Sequence, residues 1–454
     1  VEATLVPNEP VYDGVPVEDD NTTPHSWWKK SRRYIFGGMV GLVISLAVTV
    51  GVSLGSNNSA NDDENNLPST SLAPIQIPSL RPSSLPSTSS PPSTYWSSLN
   101  WKQQGQAIPG EEAGDELGKS VAFSDDGMTL AIGAPGAEEN DDRPGYVKVY
   151  HREGNGSSWK QLGPNIDGTK NGDRFGTSVS LSADGKMLAI GAPRFTDFFA
   201  KGDRPGYVRV YYIEGGVTGS SWKQLGQDIN GEADGDDFGI SVHLSADGKT
   251  LAIGGRGNDG SGDHAGHVRV YFMEANDEGP SLKQLSQDID GEAAGDYFGV
   301  SVSLSADGKT LAIGAWHNDR NYDDAGGHVR VYFMEADGAE PSWKQLGHDI
   351  DDETADDHSG TSMSLSANGK TLAIGANDND GNGSLSGHVR VYCWEGDGPS
   401  WKQFGQDIDG EEDWDNSGWS VALSSDGKTV AIGAYGNDGN GDTSGHVRVF
   451  NIEY

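Results

Sequence analysis

A phrase that returns six times constrains this chain more than any other feature. From Phe238 it reads FGISVHLSADGKTLAIGG, and close variants begin at Leu117, Phe175, Phe298, Ser359 and Ser417, about sixty residues apart. Each copy is preceded by a segment like WKQLGQDIDGEA and followed, after a loop, by one like GHVRVY. A fixed period of this length marks a repeat architecture, in which a unit that cannot bury its own apolar surface buries it against the next. The repeats therefore claim residues 99–454 as one body.

Within a unit, two β-prone runs flank an Asp-Gly pair, as at Asp247-Gly248, and Asn368-Gly369 stands in once. Such a pair between apolar runs predicts a tight hairpin whose two central residues tolerate positive φ. A third strand follows at His267–Tyr271, where strict alternation sets Val268 and Val270 on one face and Arg269 on the other. A fourth opens each period, at Trp101, Trp159, Trp222, Leu282, Trp343 and Trp401. Four antiparallel strands per unit, buried only against neighbouring units, describe the blade of a β-propeller. The expectation is an all-β, six-bladed propeller of four-stranded blades. The last copy ends at His446–Phe450 with no opening strand after it, so the strand near Trp101 is expected to pair with it and close the ring.

The Phe-Gly opening, the Ser-Val strand, the Ile-Gly-Ala-Pro run at Ile132–Pro135 and Ile190–Pro193, and Gly-x-Val-x-Val-Tyr carry a resemblance. The pattern resembles the FG-GAP repeat of integrin alpha-subunit propellers, and more closely the integrin-like repeats of microbial and algal surface proteins. The resemblance covers the repeat region and implies a propeller used for extracellular recognition. Integrin-type repeats often carry a calcium loop between their first two strands; here that place holds only the short Ser-Ala-Asp-Gly-Lys turn.

Residues 1–33 are polar and acidic, which predicts a disordered tail. Tyr34 to Leu54 run for twenty-one residues without a charge. As a helix they would span roughly 30 Å, the thickness of a bilayer core, and a signal peptide's apolar core is shorter. Lys29, Lys30, Arg32 and Arg33 stand just before them. The positive-inside bias places the N-terminus in the cytoplasm and the propeller outside a plasma membrane crossed once. Residues 55–98 turn to Ser, Thr and Pro, the composition of an extended stalk. Asn155 and Asn382 sit in acceptor triplets for N-glycosylation.

With 68 acidic against 32 basic residues the net charge is -36, so nucleic acid is excluded as a partner of the repeat body. The lone cysteine, Cys393, permits no internal disulfide. The loops between second and third strands hold Asp259, Asp263, Asp319, Asp323, Asp378, Asp380, Asp438 and Asp442. Two readings stand for these: calcium ligands, since calcium takes six to eight oxygens, or turn residues whose side chains cap local backbone. A recurring acid, at Asp115, Asp173, Asp236, Asp296, Asp357 and Asp415, reads as a structural tie where the chain crosses between blades. His267, His328, His388 and His446 recur at equivalent places and are expected to point outward around the ring.

Binding is sought where a copy breaks the pattern, at Phe195, Phe198, Phe199, Trp316, Trp414 and Trp419. Aromatics on loops meet a partner or a sugar face, or pack locally under the loop. The leading expectation is a membrane-anchored, extracellular recognition or adhesion module for a protein or glycan. An enzyme acting on glycans and a surface-coat protein are the alternatives; no catalytic set stands apart from the repeat consensus.

Overall fold

The computed structural model describes residues 106–452, apart from 137–142, 153–157, 195–203, 215–220, 277–278, 318–325, 336–340 and the single positions 353, 355, 397, 399 and 442. The membrane segment at 34–54, the stalk, and the strand near Trp101 lie outside the described residues. No helix among those described is long and apolar enough to cross a membrane.

Six antiparallel sheets follow one another along the chain, one per repeat, as a six-bladed β-propeller. Blade 3 shows the plan. Its inner strand Phe238–Leu244 turns into Thr250–Gly255, which pairs with a third strand, His267–Asn276. The outer edge of the third strand takes two short pieces, Gly279–Gln284 and Ile289–Asp290. The hairpin is wider than the two-residue turn expected from its Asp-Gly pair: residues 246–249 form the loop, closed by the Ser245 N–H on Thr250 O at 2.8 Å. Gly248 alone takes positive φ, at 70°. Asp247 stays right-handed and acts through its carboxylate, which accepts from Ser245 Oγ at 2.8 Å and from the Lys249 N–H at 3.0 Å.

The alternation read in the third strand decides the packing. Val268 and Val270 face forward into the core shared with blade 4, beside Phe298, Val302 and Leu311. Tyr271 faces back, into the core shared with blade 2, beside Phe238 and Val242. Each of the five successive pairs of blades from 1–2 to 5–6 so encloses a seam of branched side chains, the non-directional part of the stability. The directional part is repeated as faithfully. A serine at the inner strand, Ser120, Ser178, Ser241, Ser301 or Ser362, donates to the carbonyl of a glycine in the next blade at 2.6–2.9 Å. Gly133, Gly191, Gly254, Gly314 and Gly375 pass so close to those carbonyls that a Cβ would lie about 2 Å from the oxygen, and only glycine fits.

Burial corrects the reading of the histidines. His267 and His328 are fully buried and His388 nearly so. They face backward with Tyr271, the ring of His267 edge-on to Phe238 at 5.8 Å and that of His328 stacked on Phe298 at 6.3 Å. The alternation that turns the valines forward necessarily turns His, Arg and Tyr toward the preceding blade.

The forward face of blade 6 differs from the other five. Its third strand, His446–Asn451, pairs with Thr429–Ala434 and, among the described residues, with nothing on its other edge. Val447 and Val449 are 68% and 57% exposed, where Val268 and Val270 are 0% and 2%. Gln106–Pro109, the described end of the expected closing segment, carry no strand.

Candidate functional site

The inner strands surround the axis. Their C-terminal ends converge on a cavity of about 100 Å³ lined from all six blades, among others by Leu181, His243, Leu304, Leu365 and Leu423. Five main-chain hydrogen bonds run around it, from the N–H of Asp125, Ala183, Ala246, Ala306 and Ala367 to the carbonyl of the equivalent residue one blade on, at 2.8–3.0 Å. This end is narrow and built from near-identical copies.

The opposite end is built on the recurring acids. Asp236 Oδ2 accepts from the N–H groups of Glu232 and Ala233 at 2.7 and 2.9 Å, and its other oxygen accepts from Asn258 Nδ2 at 3.2 Å. Asp173 accepts from Thr169 N, Lys170 N and Tyr207 Oη and pairs with Arg194 and Arg204. These bonds fold the crossing loop so tightly that the residue after the acid is left-handed in every blade. The six are Glu116, Arg174, Asp237, Tyr297, His358 and Asn416, with φ between 51° and 57°. Each accepts at its carbonyl from the N–H three residues on, at 3.0–3.3 Å. A left-handed non-glycine residue costs about 1–3 kcal/mol, and this chain uses glycine freely elsewhere. Six side chains are kept there, and no two are alike.

From blade 3 to blade 6 these side chains and their neighbours form a chain of contacts. Arg256, fully buried, donates from Nε to Asp237 Oδ2 at 3.0 Å. Burial pushes the Asp237 carboxyl up, against the pull of Arg256. Tyr297 lies 5.4 Å from His264 and 5.7 Å from Trp316, centre to centre. Trp316 meets His358 at 4.6 Å, and His358 Nδ1 bonds Asp378 Oδ2 at 2.6 Å. Asn416 donates to Asn377 O and Asp378 Oδ1 at 3.2 and 3.1 Å. Trp419 packs edge-on to Tyr435 at 4.6 Å, and burial raises that tyrosine to about 12.

Of the aromatics singled out by sequence, the structure brings Trp316 and Trp419 to this mouth. Trp414 lies half-buried in the crossing loop of blade 6, two residues before Asn416, at φ 70°. Phe195, Phe198 and Phe199 lie outside the described residues, as do Asp319, Asp323, Asp442 and Asn155. Tyr297, His358, Asp237 and Asn416 were missed, because no residue type recurs there. The signal was positional: the column directly after the recurring acid and two before a recurring glycine holds six different residues.

The acidic loops fold on themselves. Asp259, Asp380 and Asp438 each accept at Oδ1 from the N–H five residues on, in His264, Leu385 and Thr443. Asn258, Asn379 and Asn437 cap the N–H of Gly260, Gly381 and Gly439. Asp263 joins Asp259 and His264 in a cluster that would suit a cation, and Glu232 with His267 and Asp288 forms another. In the second a guanidinium already does the cation's work, since Arg269 bonds both Asp288 and Glu232. The side chain of Asn382 donates from Nδ2 to Gly410 O at 2.7 Å, so the nitrogen a glycan would use is held.

Comparison with known proteins agrees with this geometry. The family described as FG-GAP repeat matches residues 289–332 and 407–450, each window running from an outer piece through the crossing loop to the next third strand. No curated protein matches. Among solved structures, a protein assigned as a 6-phosphogluconolactonase of Bacteroides uniformis shares 12% identity with a TM-score of 0.50, over 74% of this chain and 81% of that one. The periplasmic gluconolactonase PpgL of Pseudomonas aeruginosa gives 19% and 0.42, over 64% of this chain and 72% of that one. At such identities the likeness is one of fold.

Proposed function

We propose that this chain, an integrin-alpha-like FG-GAP repeat propeller, is a recognition module that binds an extracellular protein or glycan at the mouth of its channel. The observation that carries the reading is the ring of six unlike side chains held left-handed on one repeated backbone. Repetition makes a platform, and the varied column gives it one orientation. Tyr297, Trp316, Trp419 and Tyr435 offer faces for stacking, and Asp378 and Asn416 offer hydrogen bonds beside them. In this reading the apolar segment at 34–54 anchors the module in a plasma membrane, and the stalk at 55–98 holds it clear of the surface.

The test is binding of the full chain, in nanodiscs, to glycan and extracellular-protein arrays. The Trp316→Ala and Trp419→Ala variants should lose at least tenfold in affinity while keeping the melting temperature of the parent. Retained binding in both would remove the mouth as the site. The His358–Asp378 pair favours a second reading, a hydrolase, because a histidine oriented through Nδ1 keeps Nε2 for proton transfer. Turnover in a glycosidase and lactonase screen, lost in His358→Ala, would establish it.

A further inference from the structure

We infer that His317 and His358 together hold one divalent transition-metal ion, of the zinc and copper class, at the mouth of the channel. Metal-binding imidazoles share one arrangement: each is tied through one ring nitrogen to a carboxylate or a carbonyl and presents the other nitrogen to the ion. His317 Nδ1 lies 3.1 Å from Gly295 O, and a carbonyl only accepts, so that nitrogen carries the proton. His358 Nδ1 lies 2.6 Å from Asp378 Oδ2. The other oxygen of Asp378 accepts from the amides of Asn377 and Asn416, which keeps the group a carboxylate and the proton on the ring. Each Nε2 is left with its lone pair and with no hydrogen-bond partner among the described residues.

The two ties run opposite ways. His317 is held back on the crossing loop that opens blade 4 and His358 forward on the acidic loop of blade 5, so the far nitrogens turn toward the gap between the rings. The ring centres are 6.3 Å apart and the planes 35° apart. Two imidazoles that share an ion through nitrogens at about 2.0–2.1 Å have centres about 5–6.5 Å apart, and the pair stands at the wide end of that range. Trp316 flanks the gap without filling it: its centre is 4.6 Å from His358 and 6.2 Å from His317, an open triangle. Both histidines are half-buried, within reach of solvent ions. Imidazole nitrogen suits zinc, copper or nickel, whereas calcium and magnesium take oxygen.

The repeat shows what these two histidines displace. No other copy has histidine in either column, unlike the strand histidines, which recur. The place of His317 belongs to Gly257 in blade 3 and Gly436 in blade 6, where a Cβ would lie 2.1 and 1.9 Å from the carbonyls of Gly235 and Trp414. In blade 4 the equivalent carbonyl is Gly295 O, and it is the one His317 bonds. The loop of blade 4 therefore stands far enough off that carbonyl to admit a side chain, and the side chain admitted is one that ligates. Two protein ligands leave further coordination positions to water or to a bound partner. The inference stands on these rings alone, whether or not the mouth is the recognition surface proposed above.

The experiment titrates Zn²⁺ alone into the full chain in tag-free nanodiscs by calorimetry, with Ca²⁺ and Mg²⁺ as parallel titrants. One Zn²⁺ per chain is expected, retained against excess Ca²⁺. It should weaken at least tenfold in His317→Gln and in His358→Gln and hold in His348→Gln, which alters an exposed histidine. Asp378→Asn, at a positioning residue, should weaken it about tenfold. With one equivalent of Cu²⁺, electron spin echo spectra should count two imidazole nitrogens in the parent and one in each ligand variant, a count that misfolding cannot imitate. Trp316→Ala should keep the ion, so loss of partner binding and loss of metal are read apart. Absence of saturable Zn²⁺ binding overturns the inference. So does binding that is lost in His264→Gln and kept in His317→Gln, which would assign the ion to the cluster of Asp259, Asp263 and His264.

Discussion

The two ends of the propeller are made from the same six repeats and come out as opposites. At the hairpin end each copy makes the same turn: a serine Oγ donates to the side-chain Oδ1 two residues on, in Asp126, Asp184, Asp247, Asp307, Asn368 and Asp426, at 2.6–2.9 Å. At the crossing end the backbone is equally uniform, yet the side chains it presents are Glu, Arg, Asp, Tyr, His and Asn. Identical backbone with identical side chains is what folding alone requires. Identical backbone with unlike side chains, kept in a disfavoured conformation, serves something outside the fold.

The largest expected effect probes the backbone that the mouth shares with every blade. Asp173→Ala strands two backbone N–H groups and a tyrosine hydroxyl and leaves Arg194 and Arg204 facing an empty site. A loss of about 4 kcal/mol in urea unfolding is expected; a loss below 1 kcal/mol would show that the crossing end is not scaffolded as described.

A smaller effect lies at the uniform end, in the copy that departs from it. Ser180, Ser303 and Ser364 accept the N–H of the next blade's leucine, and His243 does so in blade 3 through Nδ1 at 2.7 Å. Burial pushes its pKa down to about 4, so it is neutral in the fold. The unfolded chain takes up the proton near the ordinary value of about 6.5. Stability is therefore full above that value and falls as pH drops toward 4, by about 2 kcal/mol at pH 5. His243→Ser, the residue other blades use, should flatten the pH 5 to 7 difference in urea midpoint.

The smallest effect has the opposite sign and separates the two ends most sharply. His358→Gly releases left-handed strain and should leave stability unchanged or raise it by up to about 1 kcal/mol, while binding at the mouth is lost. A destabilised His358→Gly with intact binding would make that column structural after all.

Much of this was legible in the chain. The period gave the blades, the Asp-Gly pairs their hairpins, and the alternation in HVRVY sent Val268 forward and Arg269 back. Legibility failed where a property belongs to two repeats at once. The burial of His267 depends on Phe238 lying across from it, and the Arg269 bonds depend on Asp288 and Glu232, nineteen residues downstream and thirty-seven upstream. The left-handed column carries no residue signature, since its conformation is imposed by the acid before it.

A collar of main-chain bonds and a ring of buried leucines narrow one end of the axis to room for a few water molecules. An opening of that size has room for solvent and not for a folded partner, so in the reading proposed above contact falls to the crossing end, where the six copies differ.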